Sequence, residues 1–273
     1  MLFHRVLTAI VAIPILILYI WKGGSFMFAT LICLVSFISL NEYYRIVFNL
    51  DGYPTRDREK AIPLIGYLSC AVIIFGANWD STEIIVGMVV FNLLVAAAWA
   101  VFCYEAESNV LDTLARQIQG IIYVPLFLST LVFIRNGKNG VTWIFFLLLI
   151  VAIGDTGAYF AGTYLGKNKL RPQVSPGKTI EGLIGALSAI VIVGCYFKYH
   201  LLPELPWIPG IFLFFVLGIA GVIGDLFESA LKRAGHIKDS GTILPGHGGM
   251  LDRIDGLLFA APVLYYFHKI FLG

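Results

Sequence analysis

The chain has 273 residues, of which 59% are apolar, 14% aromatic and 13% charged, with a mean hydropathy of +0.85. Soluble domains carry about 25% charged residues, so a single water-soluble core is excluded and a polytopic integral membrane protein is expected. The formal net charge of +2, from 19 basic and 17 acidic residues, is too balanced for a nucleic-acid binder. Cys33, Cys70, Cys103 and Cys195 lie far apart in or beside apolar runs. They form no C-x-x-C pair, which argues against a disulfide framework or a zinc site.

A membrane-crossing helix needs about 20 mostly apolar residues. In chain order, nine stretches meet or approach this: 6–21, 24–41, 61–79, 83–103, 117–134, 141–165, 180–197, 208–230 and 254–272. Counts of eight or ten stay open, because several runs are short or carry Gly or Pro. The first run has Arg5 ahead of it as a signal peptide would, but no A-x-A-like cleavage site precedes Lys22, so it reads as a retained span. The fold class is therefore all-α, with about nine spans. Residues 1–140 are expected to form supporting or oligomerisation helices. Residues 141–273 form the catalytic region, with loops at 166–180 and 230–254.

Lys and Arg concentrate on cytoplasmic loops. Arg5, Arg45, Arg56, Arg58, Lys60, Arg116, Lys167, Lys169, Arg171, Lys178, Lys232, Arg233, Lys238 and Arg253 all fall on one alternate set of connections, leaving five basic residues for the other. This places the N-terminus and the large loops in the cytoplasm and the C-terminus outside; a cell (inner) membrane is the expected location.

A carboxylate inside a membrane span costs about 2.5–3.5 kcal/mol on insertion scales and marks a functional site by default. Asp155 interrupts the sixth run, Asp225 and Glu228 the eighth, and Asp252 and Asp255 open the ninth. In the topology above, all five fall toward cytoplasmic helix ends. Asp225, Glu228 and Ser229 share one helix face, and Asp252 and Asp255 are again three apart. Such carboxylates suit hard cations, although each alone is equally well read as a structural tether to a neighbouring Lys or Arg. Gly154, Ala158, Gly162 and Gly166 form a small-residue ladder on the sixth run, and Gly218, Gly221 and Gly224 line the eighth. Such faces allow close helix packing and say nothing about chemistry.

Two loops carry the remaining signal. The first, KNKLRPQVSPGKTIEG, gathers four cations, with a turn expected at Pro176-Gly177 and a helix starting near Thr179. A Walker A loop would need glycine where Pro172 stands, so that reading fails. Taken alone, the loop is most simply a positively charged cytoplasmic loop with no ligand. The second, SALKRAGHIKDSGTILPGHGGMLDRID, holds four fixed cations, His236, His247 and five glycines, and ends in two acids. Backbone amides at Gly246, Gly248 and Gly249 are suited to an anion, while Lys232, Arg233, Lys238 and Arg253 are suited to polyphosphate, with Asp252 on a bridging divalent ion. His247 reads as a hydrogen-bonding residue of the loop. A site rich in acids and bases but without a nucleophile–base pair fits phosphoryl-type transfer, where positioning and charge neutralisation dominate.

The pattern Ser229-x-Leu-Lys232-Arg233, four residues, Lys238-Asp239-x-Gly241, then Leu244-Pro245-x-His247-Gly248-Gly249-x-x-Asp252-Arg253-Ile-Asp255 resembles the signature of the phosphatidate cytidylyltransferase (CDP-diacylglycerol synthase) family. GDTGAYFAGTYLGK and Ser175-Pro176-Gly177-Lys178-Thr179-x-Glu181-Gly182 are similar to further elements of that family, so the likeness covers roughly residues 150–265. The resemblance implies a nucleotidyltransferase that joins CTP and phosphatidate, giving CDP-diacylglycerol and pyrophosphate. It implies a metal centre on Asp225 and Asp252 for Mg²⁺ and optionally a monovalent cation such as K⁺; Asp155 reads as either a further ligand or an orienter of a cation, and Asp255 as a further ligand. It further implies phosphate contacts from Lys232, Arg233, Lys238 and Arg253 beside Asp239, with Ser175, Lys178, Ser229, His247, Gly248 and Gly249 binding substrate. The implied partners are CTP, phosphatidate and the lipid bilayer. The oligomeric state stays open, a homodimer included. Two rivals are a CTP-dependent polyprenol or lipid kinase and a cation-coupled transporter. A CDP-alcohol phosphotransferase is excluded because Asp255-Gly256 does not continue as D-G-x-x-A-R.

Overall fold

The computed structural model describes residues 14–48, 61–102, 104, 110–241, 243 and 248–272. Its helices are α1 (described over 14–22), α2 (Ser25–Phe48), α3 (Ala61–Asn78), α4 (Thr82–Phe102), α5 (Val110–Ile121), α6 (Phe127–Asn136), α7 (Gly140–Leu165), α8 (Ile180–His200), α9 (Trp207–Ala234) and α10 (Leu251–Phe271). The all-α expectation holds apart from one hairpin, β1 (Lys169–Arg171) and β2 (Ser175–Thr179). Among the described residues, six helical segments are long and apolar enough to cross a membrane: α2, α4, the α5–α6 run, α7, α8 and α9. Their apolar side chains also point outward. Leu94 is 63% exposed on α4 and Ile192 70% on α8, a display that suits lipid and would be an aggregation liability in water.

The chain divides into two compact units. One comprises Met1–Asn136 with Ala234–Asp252, the other Gly137–Arg233 with Arg253–Gly273.

In the first unit, α2, α3 and the α5–α6 run bury a core that includes Phe28, Leu40, Tyr43, Ile73, Ile74, Val124, Leu128 and Val132. Between α5 and α6 the helix widens into a single π-turn at Ile122–Leu126, which contains Pro125. Proline lacks the N–H that the α-pattern needs, and a local change of helical register accommodates it. Polar side chains also tie these helices together. Asn92 donates to Ser69 Oγ at 2.8 Å, the Arg116 guanidinium donates to Val47 O at 2.6 Å, and Arg135 donates to Gly23 O at 2.8 Å. Within membranes, side-chain hydrogen bonds between helices contribute about 0.6 kcal/mol each.

In the second unit α7 and α8 are held in close contact by small residues. A Cβ on Gly157 would meet Gly185 O at 2.7 Å, and one on Gly182 would meet Ala158 O at 3.0 Å. The ladder read from the sequence thus packs α7 onto α8. Gly218 of α9 faces Leu187 and Ile190, and Gly224 stands against the backbone of Asp255. Phe146 packs against both Phe197 and Phe214, and Trp143 meets His268 edge-on. At one end, Asn139 donates to Glu204 Oε1 at 2.7 Å, linking the start of α7 to the α8–α9 loop.

Candidate active site

The hairpin corrects one reading of the sequence. Pro176-Gly177 is not the turn: both lie in β2, and the chain reverses at 172–174, with Lys169 opposite Thr179 and Arg171 opposite Ser175. Pro172 fixes φ at the reversal, so the expected loop is an ordered β-ribbon. The helix start near Thr179 is as expected. The Thr179 hydroxyl accepts from Gly182 N at 3.0 Å, capping α8 and satisfying one of its unpaired N–H groups. Glu181 in the first turn of α8 reaches back to accept from the backbone N–H of Asn168 at 3.2 Å and from its side-chain amide at 2.8 Å. The far side of the ribbon is tied to α9 by Arg233, whose Nε donates to Val174 O at 3.3 Å.

This clamping fixes Lys178 beside a cavity of about 170 Å³ formed by α7, α8, α9 and the ribbon. One part of its lining is polar, with Asp155, Lys178, Thr179 and Asp225. The rest is apolar or small, with Ile150, Leu183, Ala186, Leu217, Gly218 and Gly221. Lys178 Nζ stands 2.5 Å from Asp225 Oδ2, and the Ser229 hydroxyl is 3.4 Å from Asp225 Oδ1. Asp155 lies within electrostatic reach of Asp225, Lys178 and Arg253. Asp255 is within reach of Asp225 and Asp155, and its Oδ1 accepts from Gly256 N at 2.7 Å. One turn along α9, Lys232 is paired at 2.6 Å with Glu228, whose carboxylate is 1% exposed.

The first unit holds the other part of the signature. Asp252 Oδ2 accepts from Ser240 N at 3.0 Å, Ser240 Oγ at 3.1 Å and Gly249 N at 2.9 Å. Gly248 adopts φ +82° beside it, a left-handed conformation that glycine adopts without penalty. Lys238 and Asp239 are exposed on the same segment; Arg253, exposed on the first turn of α10, belongs to the second unit. His247 lies outside the described residues.

Sequence reasoning missed Glu42, near the end of α2. Its carboxylate is 1% exposed and accepts from Ser240 Oγ at 2.9 Å, Met250 N at 3.0 Å and Leu251 N at 2.8 Å. The signal was present, since Glu42 is an acid at the end of the apolar run SFISL.

Among the described residues, no three His, Cys, Asp or Glu side chains stand close enough together to form a metal cage. The donor chemistry nevertheless fits a hard cation. The candidate ligands Asp155, Asp225, Asp252 and Asp255 offer only carboxylate oxygens, and at Asp225 the Lys178 ammonium already supplies a positive charge.

A sequence profile of the cytidylyltransferase family matches residues 3–271. The chain is 44% identical to the phosphatidate cytidylyltransferase of Bacillus subtilis (strain 168) over 154 residues, which is 55% of this chain and 56% of that protein. Similarity to relatives of the same name extends over nearly the whole length: 33% identity over 266 residues in Staphylococcus haemolyticus (strain JCSC1435), and 35% over 268 residues in Staphylococcus epidermidis (strain ATCC 35984), each covering 95% of this chain and 96% of the relative. On this match the chain belongs to the cytidylyltransferase family.

Proposed function

We infer that this chain is a phosphatidate cytidylyltransferase, a membrane nucleotidyltransferase that makes CDP-diacylglycerol and pyrophosphate from CTP and phosphatidate. The near full-length similarity to relatives of that name carries the reading. A cavity with a lysine–carboxylate pair on one wall and apolar side chains on the others supports it, because phosphatidate joins a phosphate monoester to acyl chains.

In the proposed reaction a phosphate oxygen of phosphatidate attacks the α-phosphorus of CTP. The bond from the α-phosphorus to the bridging oxygen breaks, and pyrophosphate leaves with that oxygen. Enzymes of this class generally use a divalent metal, which when bound neutralises charge on the triphosphate. Mg²⁺ is proposed here, with K⁺ as a candidate accessory ion. Asp225 and Asp252 are the proposed ligands, with Asp155 and Asp255 as further carboxylates. Lys178 and Ser175 are proposed to hold phosphate from the ribbon, and Ser229 to orient Asp225. Lys238, Arg253 and Arg233 supply positive charge, and Asp239 belongs to the same segment. Lys232 is engaged by Glu228, which favours a fixed charge over a mobile contact. Gly248 and His247 are assigned to the departing pyrophosphate, while the Gly249 N–H is taken up by Asp252.

The proposed topology has nine spans, with the N-terminus and the site on the cytoplasmic side of the cell membrane. Catalysis is assigned chiefly to residues 141–273. Purified protein incubated with CTP, phosphatidate and Mg²⁺ is expected to release pyrophosphate and a CDP-lipid in equal amounts. Release of CDP with a newly phosphorylated lipid would instead identify a kinase and overturn the reading.

A further inference from the structure

We propose that Glu42 is a positioning residue for the transfer reaction, acting through Ser240 on Asp252. The inference rests on the reading of Asp252 as part of the catalytic machinery. Glu42 lies in the N-terminal half, remote in sequence from the signature, yet the signature segment folds around its carboxylate. One oxygen accepts from Met250 N, and the other from Leu251 N and Ser240 Oγ. The same Ser240 hydroxyl also reaches Asp252 Oδ2, which Ser240 N and Gly249 N hold as well. One hydroxyl proton therefore lies between two carboxylates, and the backbone N–H groups on either side lock that arrangement.

The approach is close enough to dictate residue type. A Cβ on Gly241 would collide with the Glu42 side chain, and one on Gly249 would collide with Ser240 Oγ and Glu42 Oε2. Two glycines of the signature are thus explained by an acid outside it. A structural tether would need only one or two of these contacts. Here Glu42 and Asp252 share a single serine, so the position of the second carboxylate depends on the first. Hydrogen bonds to a buried carboxylate are short and strong, and the orientation of a catalytic group is sensitive to displacements of about 1 Å.

Glu42→Gln keeps the volume but turns one acceptor into a donor facing an N–H or the serine hydroxyl. It is expected to lower kcat at least about tenfold at saturating substrates and Mg²⁺, with KM for CTP and phosphatidate within about threefold. In metal-free protein, hydrogen–deuterium exchange at residues 249–251 is expected to quicken while α3 and α4 are unchanged. Ser240→Ala, which removes only the shared hydroxyl, is expected to reproduce the kcat loss, and it decides the question if Glu42→Gln fails to fold. Wild-type kcat in either folded variant, alongside an inactive Asp252→Asn, would overturn the positioning role alone. Full activity in Asp252→Asn would instead remove the underlying reading, and the positioning role with it.

Discussion

Lys178 and Asp225 meet at 2.5 Å although one comes from a β-ribbon and the other from the middle of a long apolar helix. Each has a reason to be there. The ribbon is closed on α8 by Glu181 and Asn168, which fixes where Lys178 can stand. Asp225, within an apolar stretch, is stabilised by the adjacent positive charge. The pair lines the cavity jointly with Asp155, so a phosphate entering there meets a lysine already oriented by an acid.

Removing either partner should therefore affect chemistry more than folding. Asp225→Asn is expected to lower turnover at least about a hundredfold, as for loss of a charged group from a phosphoryl-transfer site. Lys178→Met should lower kcat/KM about ten- to a hundredfold, matching a charge-assisted hydrogen bond worth about 1.5–3 kcal/mol. Both side chains are partly exposed, so thermal unfolding in detergent should shift little. Steady-state kinetics on the two purified variants would test this, and wild-type turnover in Asp225→Asn would remove its catalytic assignment.

Two glycines of the second unit should respond in opposite ways. A Cβ on Gly221 meets nothing within 4 Å, yet Gly221 lines the cavity. Gly221→Leu should be tolerated, since leucine is a better helix former by about 1 kcal/mol, while its side chain fills space proposed for the lipid substrate. The expected result is an unchanged or higher unfolding temperature with KM for phosphatidate raised about tenfold. At Gly185 a Cβ would collide with Ala161 and lie 2.8 Å from Gly157 O, so Gly185→Leu should prevent α7 and α8 from packing and abolish folded protein. Equal stability of the two variants would contradict this account of the helix contact.

The helices are legible because lipid imposes a simple rule: the apolar runs are long, and the described residues of each expected stretch are helical except at Gly24, Trp79 and Leu272, which lie at the ends of their stretches. Boundaries moved where the signal was mixed. The fifth run was read from residue 117, whereas α5 begins at Val110. Its first turns (VLDTLARQIQ) are amphipathic, so hydropathy alone passes over them. The ribbon was missed because Pro-Gly usually marks a turn, yet here pairing with 169–171 holds Pro176 and Gly177 in a strand. The carboxylates of α7, α9 and α10 were found by asking which charges lipid would not tolerate. The same question applied to α2 would have found Glu42, but beside Arg45 it reads as the edge of a span.

The Glu228–Lys232 pair should contribute to stability. Glu228 is buried at 1% exposure, and removing the partner of a buried charge costs about 3–5 kcal/mol. Lys232→Met is therefore expected to lower the unfolding temperature markedly, by a free energy near the low end of that range, about 3 kcal/mol. The double variant Glu228→Gln/Lys232→Met should recover much of the loss, because no charge is then left buried. If Lys232→Met instead unfolds like wild type while losing activity, the lysine acts on substrate and the tether reading fails.

Gly248 separates backbone strain from side-chain chemistry. At φ +82°, an alanine would cost about 1–2 kcal/mol in the left-handed region, and its Cβ would lie 2.9 Å from Asp252 Oδ2. That oxygen already accepts three hydrogen bonds, so the added methyl group must displace either the carboxylate or the backbone that binds it. The stability cost is modest and local, but the displacement falls on an acid proposed to bind a cation. Gly248→Ala is therefore expected to lose at least about tenfold in kcat while melting within a few degrees of wild type. Kinetics at saturating CTP, phosphatidate and Mg²⁺, read beside a thermal scan of the same sample, distinguish the two effects. Loss of folded protein in step with loss of activity would mean that Gly248 serves the fold alone. An inactive but folded variant would tie the conformation of this one glycine to the placement of Asp252.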